Sequence, residues 1–145
     1  MYIRIAQITD VPAILHIRQN ARENILRNQL TESMFEKALN NHCRAWVALV
    51  DDKIVGFSLA NKKNRSIWGL FVLLAFQQQG IGKALLALAV NWLKAQPKRW
   101  PWQNRNIWVQ TEKGSRAEKF YQHLGWQPGK MYPHHEIRYW YKVDA

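Results

Sequence analysis

Residues 67–93 read IWGLFVLLAFQQQGIGKALLALAVNWL, and three textures follow one another in this stretch. Ile67–Val72 is a short apolar run rich in aromatic and β-branched residues, which predicts a strand. At the other end, Leu85, Leu86, Ala89, Trp92 and Leu93 recur at a spacing that paints one face of a helix. Between them lies the loop Gln77–Lys83, with glycine at 80 and 82. A strand that feeds a glycine-containing loop opening a helix is a cradle for an anion. The glycines let the backbone approach it, and the free N–H groups of the first helical turn point at it. Lys83 adds a positive charge at the same place. Two phosphate loops are excluded by spacing: G-x-x-x-x-G-K-[ST] is absent, and the third glycine of G-x-G-x-x-G is Leu85 here. A tight turn between two core elements is the plainer reading of the same glycines.

The 145 residues fit one domain over 1–145, and such a chain buries roughly 68–70% of its unfolded surface without covalent staples. Cys43 is the one cysteine, so no intramolecular disulfide forms, which suits a reducing compartment. Nothing beside it in sequence resembles an activated nucleophile. Met1-Tyr2-Ile3-Arg4 has no signal-peptide pattern, and no apolar run approaches the roughly 18 residues of a membrane span. A soluble, cytoplasmic protein is expected. The formal net charge is +11, from 21 basic and 10 acidic residues. That surplus calls for an anionic partner: a polyphosphate cofactor, an acidic small substrate or a nucleic acid. Eight tryptophans are many for this length; core packing accounts for most, and exposed ones would line a groove.

In chain order, Met1–Ile8 alternates apolar and polar and reads as a first strand. Thr9-Asp10 is an N-cap signal, with Pro12 in the first turn and an apolar stripe of Val11, Ile14, Leu15, Ala21 and Ile25. Asn28-Gln29-Leu30 breaks that helix. Thr31 caps a second one, with Leu30 and Phe35 as a hydrophobic staple, ending near Asn40-Asn41. Trp46–Val50 and Ile54–Ala60 flank the turn Asp51-Asp52-Lys53 and form a hairpin. After the central strand and helix, Gln96–Asn106 is an irregular basic linker whose two tryptophans are expected to pack inward. Ile107–Thr111 is a fifth strand. Ser115–Leu124 is a fourth helix with Gly125 as its C-cap. Trp126 starts a sixth strand, Pro128–His135 is a long connection, and Ile137–Val143 closes the sheet. The order β-α-α-β-β-β-α-β-α-β-β is that of a mixed α/β sheet with helices on both faces.

Two patterns carry a resemblance. Gln77-x-x-Gly80-x-Gly82, after a strand and before a helix, resembles the acetyl-CoA-binding motif of the GNAT superfamily of N-acetyltransferases. Ala117-x-x-Phe120-Tyr121-x-x-Leu124-Gly125-Trp126 resembles the A-x-x-F-Y-x-x-x-G-F segment these enzymes carry after their fifth strand, with Trp for the final Phe. The element order is similar to the GNAT fold over the whole chain. The resemblance implies a mostly antiparallel sheet of about seven strands, splayed at a cofactor cleft, with four helices. It implies acetyl-CoA as co-substrate, its pantetheine arm along the bulged strand ending Leu70-Phe71-Val72, with an oxyanion donor near Val72. Its pyrophosphate would lie on the amides of Gln78, Gln79, Gly80, Ile81, Gly82 and Lys83. Tyr121 matches the family tyrosine that protonates the departing thiolate.

The chain departs from the family in places. Leu74 stands where many members have Pro. Gly114 stands where many have an Asn that binds the pantetheine arm, and Ser115 is the candidate replacement. The central strand carries no glutamate, so the base is Glu23, Glu112, His134, Glu136 or, by default, a water chain. His134-His135 without a third ligand gives no metal site. By family analogy the primary amine acceptor binds among Arg22, Glu23, Asn24, Arg27, Trp68, Tyr132, His134 and His135. The positive charge favours a small metabolite, amino acid or peptide over a polycation, since a basic pocket keeps an amine neutral. The linker Lys98–Arg105 interleaves cations with aromatics as nucleic-acid grooves do, so an acceptor on nucleic acid, or a non-catalytic nucleic-acid-binding member, stays open but is not favoured. A homodimer through the Trp-rich last strand is also allowed for.

Overall fold

The computed structural model describes residues 1–20 and 31–143. Seven strands form one sheet: β1 (Tyr2–Ile5), β2 (Cys43–Val50), β3 (Lys53–Asn61), β4 (Ser66–Val72), β5 (Ile107–Glu112), β6 (Gln127–Tyr132) and β7 (Glu136–Tyr141). Their spatial order is β1-β2-β3-β4-β5-β7-β6. Four helices accompany them: α1 (Val11–Asn20), α2 (Glu32–Asn41), α3 (Ile81–Lys94) and α4 (Arg116–His123).

The helices divide between the two faces because the apolar residues do. Val11, Ile14 and Ile17 of α1 and Phe35 and Ala38 of α2 pack on Cys43, Ala45, Val47, Phe57 and Leu59. On the opposite face, α3 buries Ile81, Leu85, Leu86, Ala89, Val90 and Leu93 against Trp46, Ala48, Ala60, Ile67 and Val72, and Tyr121 of α4 joins the same core. Each fully buried Leu or Ile contributes about 1.5–3 kcal/mol relative to exposure. The buried Ser58 hydroxyl finds its acceptor in the Leu85 carbonyl of α3 (3.1 Å).

Every neighbouring pair is antiparallel except β4–β5. That parallel seam has only two residue pairs, Ser66↔Trp108 and Ile67↔Val109, extended by Trp108 N–H to the Arg65 carbonyl (3.1 Å). Beyond it the two strands follow different partners. β4 stays with β3 as far as Gly56↔Val72, and β5 stays with β7 as far as Glu112↔Glu136. A cleft therefore opens between them. Its closed end is braced by buried Arg65, whose guanidinium donates to the carbonyls of Leu93, Gln96 and Arg105, at the carbonyl-rich end of α3 where a cation is favoured.

β4 does carry the expected bulge, at Trp68 between the pairs Ala60↔Ile67 and Leu59↔Gly69. Several local readings shift. The first cap belongs to Gln7, not to Thr9-Asp10. Asp10 is the third residue of a short 3-10 turn and its carboxylate reaches back to Gln7 N–H (2.7 Å) while paired with Arg4. Thr31 caps α2 as expected, accepting from Met34 N–H. Pro128–His135 is no long connection: β6 runs through it to Tyr132. A proline is admissible there because β6 is the sheet edge. In the linker, Trp100 and Trp102 are 42% and 83% exposed instead of packing inward. The expected extension of α1 through Ile25, the break at Asn28-Gln29-Leu30 and the Leu30 half of the staple lie outside the described residues. So do the acceptor candidates Arg22, Glu23, Asn24 and Arg27. No helix among the described residues is long and apolar enough to cross a membrane.

What fixes α4 is a buried carboxylate. Glu118 accepts from Gly114 N–H (2.7 Å) and from the Tyr139 hydroxyl of β7 (2.8 Å), which in turn accepts from Gln122. The Gly114 N–H, more than any other contact, holds the Glu118 carboxyl below its usual range. A depressed folded value means that its stabilisation is complete above the ordinary carboxylate pKa and is lost as pH falls through the folded value. Glu118→Gln should lower stability by about 1–2 kcal/mol at pH 7, through loss of charge on the acceptor. The gap from wild type in urea midpoint should narrow below about pH 4; a gap independent of pH would show that the charge contributes nothing.

Candidate active site

The site is built where the open ends of β4, the glycine loop and α4 converge. Leu73 N–H donates to the Val55 carbonyl of β3 (2.9 Å). In an antiparallel ladder these bonds alternate, so the N–H groups of Leu70 and Val72 point the other way, into the cleft that β5 has left. The Val72 carbonyl, on that same side, is taken by Gln77 Nε2 (2.9 Å), and Gln77 Oε1 accepts from Arg116 Nη1 of α4 (2.6 Å). One side chain thus ties together the strand end, the loop and the fourth helix. Arg116 is a partner the sequence reading missed, since nothing in its spacing marks a contact 39 residues away.

The loop then turns into α3. Gln78 has φ 62° and Gly80 has φ 83°. The second is a left-handed conformation that only glycine adopts cheaply. The first bond of the helix runs from Ala84 N–H to the Gly80 carbonyl (3.0 Å), so the N–H groups of Ile81, Gly82 and Lys83 are the unpaired donors of the first turn. Gln78, Gln79, Gly80 and Lys83 are exposed, whereas the Ile81 side chain is buried in the core and offers only its backbone. At Gly82 a Cβ would meet Val72 at 3.7 Å and Phe120 at 3.8 Å, which is ordinary contact. The fold itself therefore tolerates a side chain there. What the glycine preserves is open space above the donors, and this fits a diphosphate lying on them.

Tyr121 is 3% exposed, wedged between Phe120 (5.3 Å between ring centres) and Trp126 (5.1 Å). Burial alone pushes its phenol well above the ordinary value, and no hydrogen bond to a described residue contributes. Its helix ends in the expected glycine cap: Gly125, at φ 87°, donates to Gln122 and Trp126 donates to Tyr121. Ser115 has a structural task that its sequence context did not reveal. Its hydroxyl donates to the Glu112 carbonyl (2.6 Å) and accepts from Glu118 N–H (3.1 Å), capping α4. Its proton is engaged inside the protein, so a contact from Ser115 to a ligand would use its remaining lone pair.

The other candidates scatter. Glu112 and Glu136 face each other on the last rung of β5–β7. His134 and His135 form the exposed β6–β7 turn at φ 67° and 59°, which is latched to β5 by Lys113 N–H to the His135 carbonyl (2.8 Å). Cys43 is buried beneath α1 and α2, and burial pushes its thiol up to about 12.

The family model of the acetyltransferase (GNAT) domain matches residues 41–128, more than half of the chain. No curated protein sequence matches it. Among solved structures, a PaiA N-acetyltransferase from Thermoplasma acidophilum in complex with coenzyme A superposes with a TM-score of 0.76 at 13% identity, covering 99% of this chain and 100% of that one. A putative streptothricin acetyltransferase from Bacillus anthracis in complex with acetyl coenzyme A gives 0.74 at 21%, covering 99% and 100%. The ribosomal-protein-S18-alanine N-acetyltransferase of Escherichia coli gives 0.73 at 19%, covering 96% and 90%. At such identities the likeness is one of fold, and the matched domain decides the family: this chain belongs to the GNAT acetyltransferases.

Proposed function

We propose that the protein transfers the acetyl group of acetyl-CoA to a primary amine, directly and within a ternary complex, the acceptor being a small metabolite, amino acid or peptide. The observation that carries this reading is the cleft beyond Ile67↔Val109, with the unpaired Val72 N–H on one wall, the first-turn donors of α3 at its mouth and the unbonded Tyr121 hydroxyl on α4. Acetyl-CoA supplies the acetyl group activated as a thioester. Gly80, Ile81, Gly82 and Lys83, preceded by Gln78 and Gln79, hold the diphosphate through backbone N–H groups, and Gln77 keeps that loop fastened to β4. Leu70, Phe71 and Val72 lie along the pantetheine arm, and Val72 N–H holds the carbonyl oxygen where negative charge develops. The amine nitrogen forms a bond to the carbonyl carbon as the carbon–sulfur bond breaks. Tyr121 gives its proton to the sulfur, the nitrogen releases one proton to solvent, and the tyrosinate regains one from solvent, so the proton count closes. A phenol whose pKa is raised by burial keeps that proton throughout the neutral range until a strong acceptor appears beside it. A covalent route through Cys43 is disfavoured, because its thiol stays protonated near pH 7 and lies on the α1–α2 side of the sheet.

Two variants test the assignment. Acetyl-CoA should raise the melting temperature of the wild type by several degrees at about a hundred times Kd, as mass action requires. Gly82→Val should fold normally, since its Cβ has room, yet lose this response; an undiminished response would remove the diphosphate from the loop. Tyr121→Phe keeps the ring and breaks no hydrogen bond to a described residue, so stability should hold. Positioned acid catalysis is worth about 10²–10⁴-fold, and kcat should fall by that order with acetyl-CoA affinity changed by less than about threefold, as expected of an interaction made only in the transition state. Full kcat with chemistry rate-limiting would make the tyrosine structural, and lost acetyl-CoA binding would make its hydroxyl a ground-state contact.

A further inference from the structure

No described helix covers one face of β5, β7 and β6; α4 packs on the other. On that bare face the ladder sets Trp108 opposite Trp140, Gln110 opposite Arg138 and Glu112 opposite Glu136. Arg138 lies at its centre, with its guanidinium carbon 3.7 Å from the Trp108 ring centre and 4.5 Å from that of Tyr132. Nη2 donates to Gln110 Oε1 (3.2 Å), and Nε is buried without a partner among the described residues. No carboxylate of the described residues forms an ion pair with this arginine. Nη1 takes no acceptor among them either and, unlike Nε, is not sealed off. The neighbouring strand accommodates the arrangement: β6 bulges opposite Arg138, and at Gly129 a Cβ would stand 2.8 Å from the Trp140 indole nitrogen.

The position matters as much as the chemistry. Val109 makes the last pair of the β4–β5 seam, and Gln110, the next residue, is the partner of Arg138. Arg138 therefore stands on the first rung past the point where the cleft opens. Two residues farther out, about 7 Å at 3.4 Å per residue, Glu112 and Glu136 face each other. Like charges opposed in this way are unfavourable by themselves and are relieved by a cation between them. A planar guanidinium held flat on aromatic rings, its outer edge unpaired among the described residues, suits a carboxylate, and the two glutamates suit an ammonium group. The bare face thus presents one cation and two anions within reach of a single zwitterion.

We propose that the acceptor is an amino acid with a free carboxylate, which Arg138 holds while the amine is turned toward Glu112, Glu136 and the cleft. The inference rests on the acetyl-transfer reading. A polyamine would set a cation against Arg138, and an amide or ester would leave its charge unanswered. The test is thiol release at saturating acetyl-CoA over the amino acids, their carboxamides and the decarboxylated amines. At least one amino acid should exceed its carboxamide in kcat/KM by roughly 10–100-fold, the worth of a charge-assisted contact, and the difference should lie in KM. Arg138→Gln should raise the KM of the acid by a similar factor while leaving that of the carboxamide and the Kd of acetyl-CoA unchanged, and Arg138→Lys should recover part of the loss. Should Arg138→Gln fail to fold, the wild-type comparison of acid with carboxamide decides alone. Equal use of acid and carboxamide would overturn the inference, as would turnover of only polyamines, peptides or aminoacylated RNA, or none of any amino acid by an enzyme that binds acetyl-CoA. A wild type that does not bind acetyl-CoA at all is a separate failure, seen without any acceptor, and removes the transfer reading along with this one.

Discussion

Two antiparallel half-sheets meet along a parallel seam only two residue pairs long, and most of the molecule's functional geometry descends from the shortness of that seam. A longer seam would satisfy the backbone groups of Leu70 and Val72 within the sheet. Because β4 is committed to β3 and β5 to β7, the N–H groups of Leu70 and Val72 instead face the cleft, at a cost that solvent or a ligand can offset. The helices keep the halves apart: α3 packs on the β2–β4 half, while α4 is bonded to β7 through Glu118 and Tyr139. Arg65 closes the narrow end by drawing three carbonyls from the end of α3 and from the linker onto one buried guanidinium.

The glycine loop and α4 look like independent devices in the sequence but act as one. Gln77 joins them, with its amide nitrogen on the Val72 carbonyl and its amide oxygen on Arg116. The loop is therefore set relative to Tyr121 by two directional bonds. Burial raises the pKa of the phenol, so it stays protonated throughout the neutral range.

Much of this was legible in the sequence, and the reasons differ by element. The β4–loop–α3 unit was readable because strand periodicity, two glycines and helix periodicity succeed one another without interruption. The α4 segment was readable because its glycine cap fixes where the helix ends, and hence which face carries Tyr121. The edge strand β6 was misjudged because Pro128 and Gly129 argue locally against a strand; only the sheet order makes them tolerable there. The capping role of Ser115 was not read, because a serine that caps a helix and a serine that binds a ligand look alike until its two bonds are seen. Arg138 went unremarked although it alternates with Glu136 and Trp140 along β7. That period-two pattern gives the shared face, but the facing Trp108 and Gln110 come from another strand 28 residues away.

The central claim is that the cleft between β4 and β5 and the first turn of α3 together receive acetyl-CoA. Amide-resolved NMR of the isotopically labelled protein, titrated with acetyl-CoA, tests it most directly. The largest shifts should fall on the amides of Val72 and of Gly80–Lys83, saturating together at one equivalent. Saturable binding that leaves those amides unmoved would contradict it.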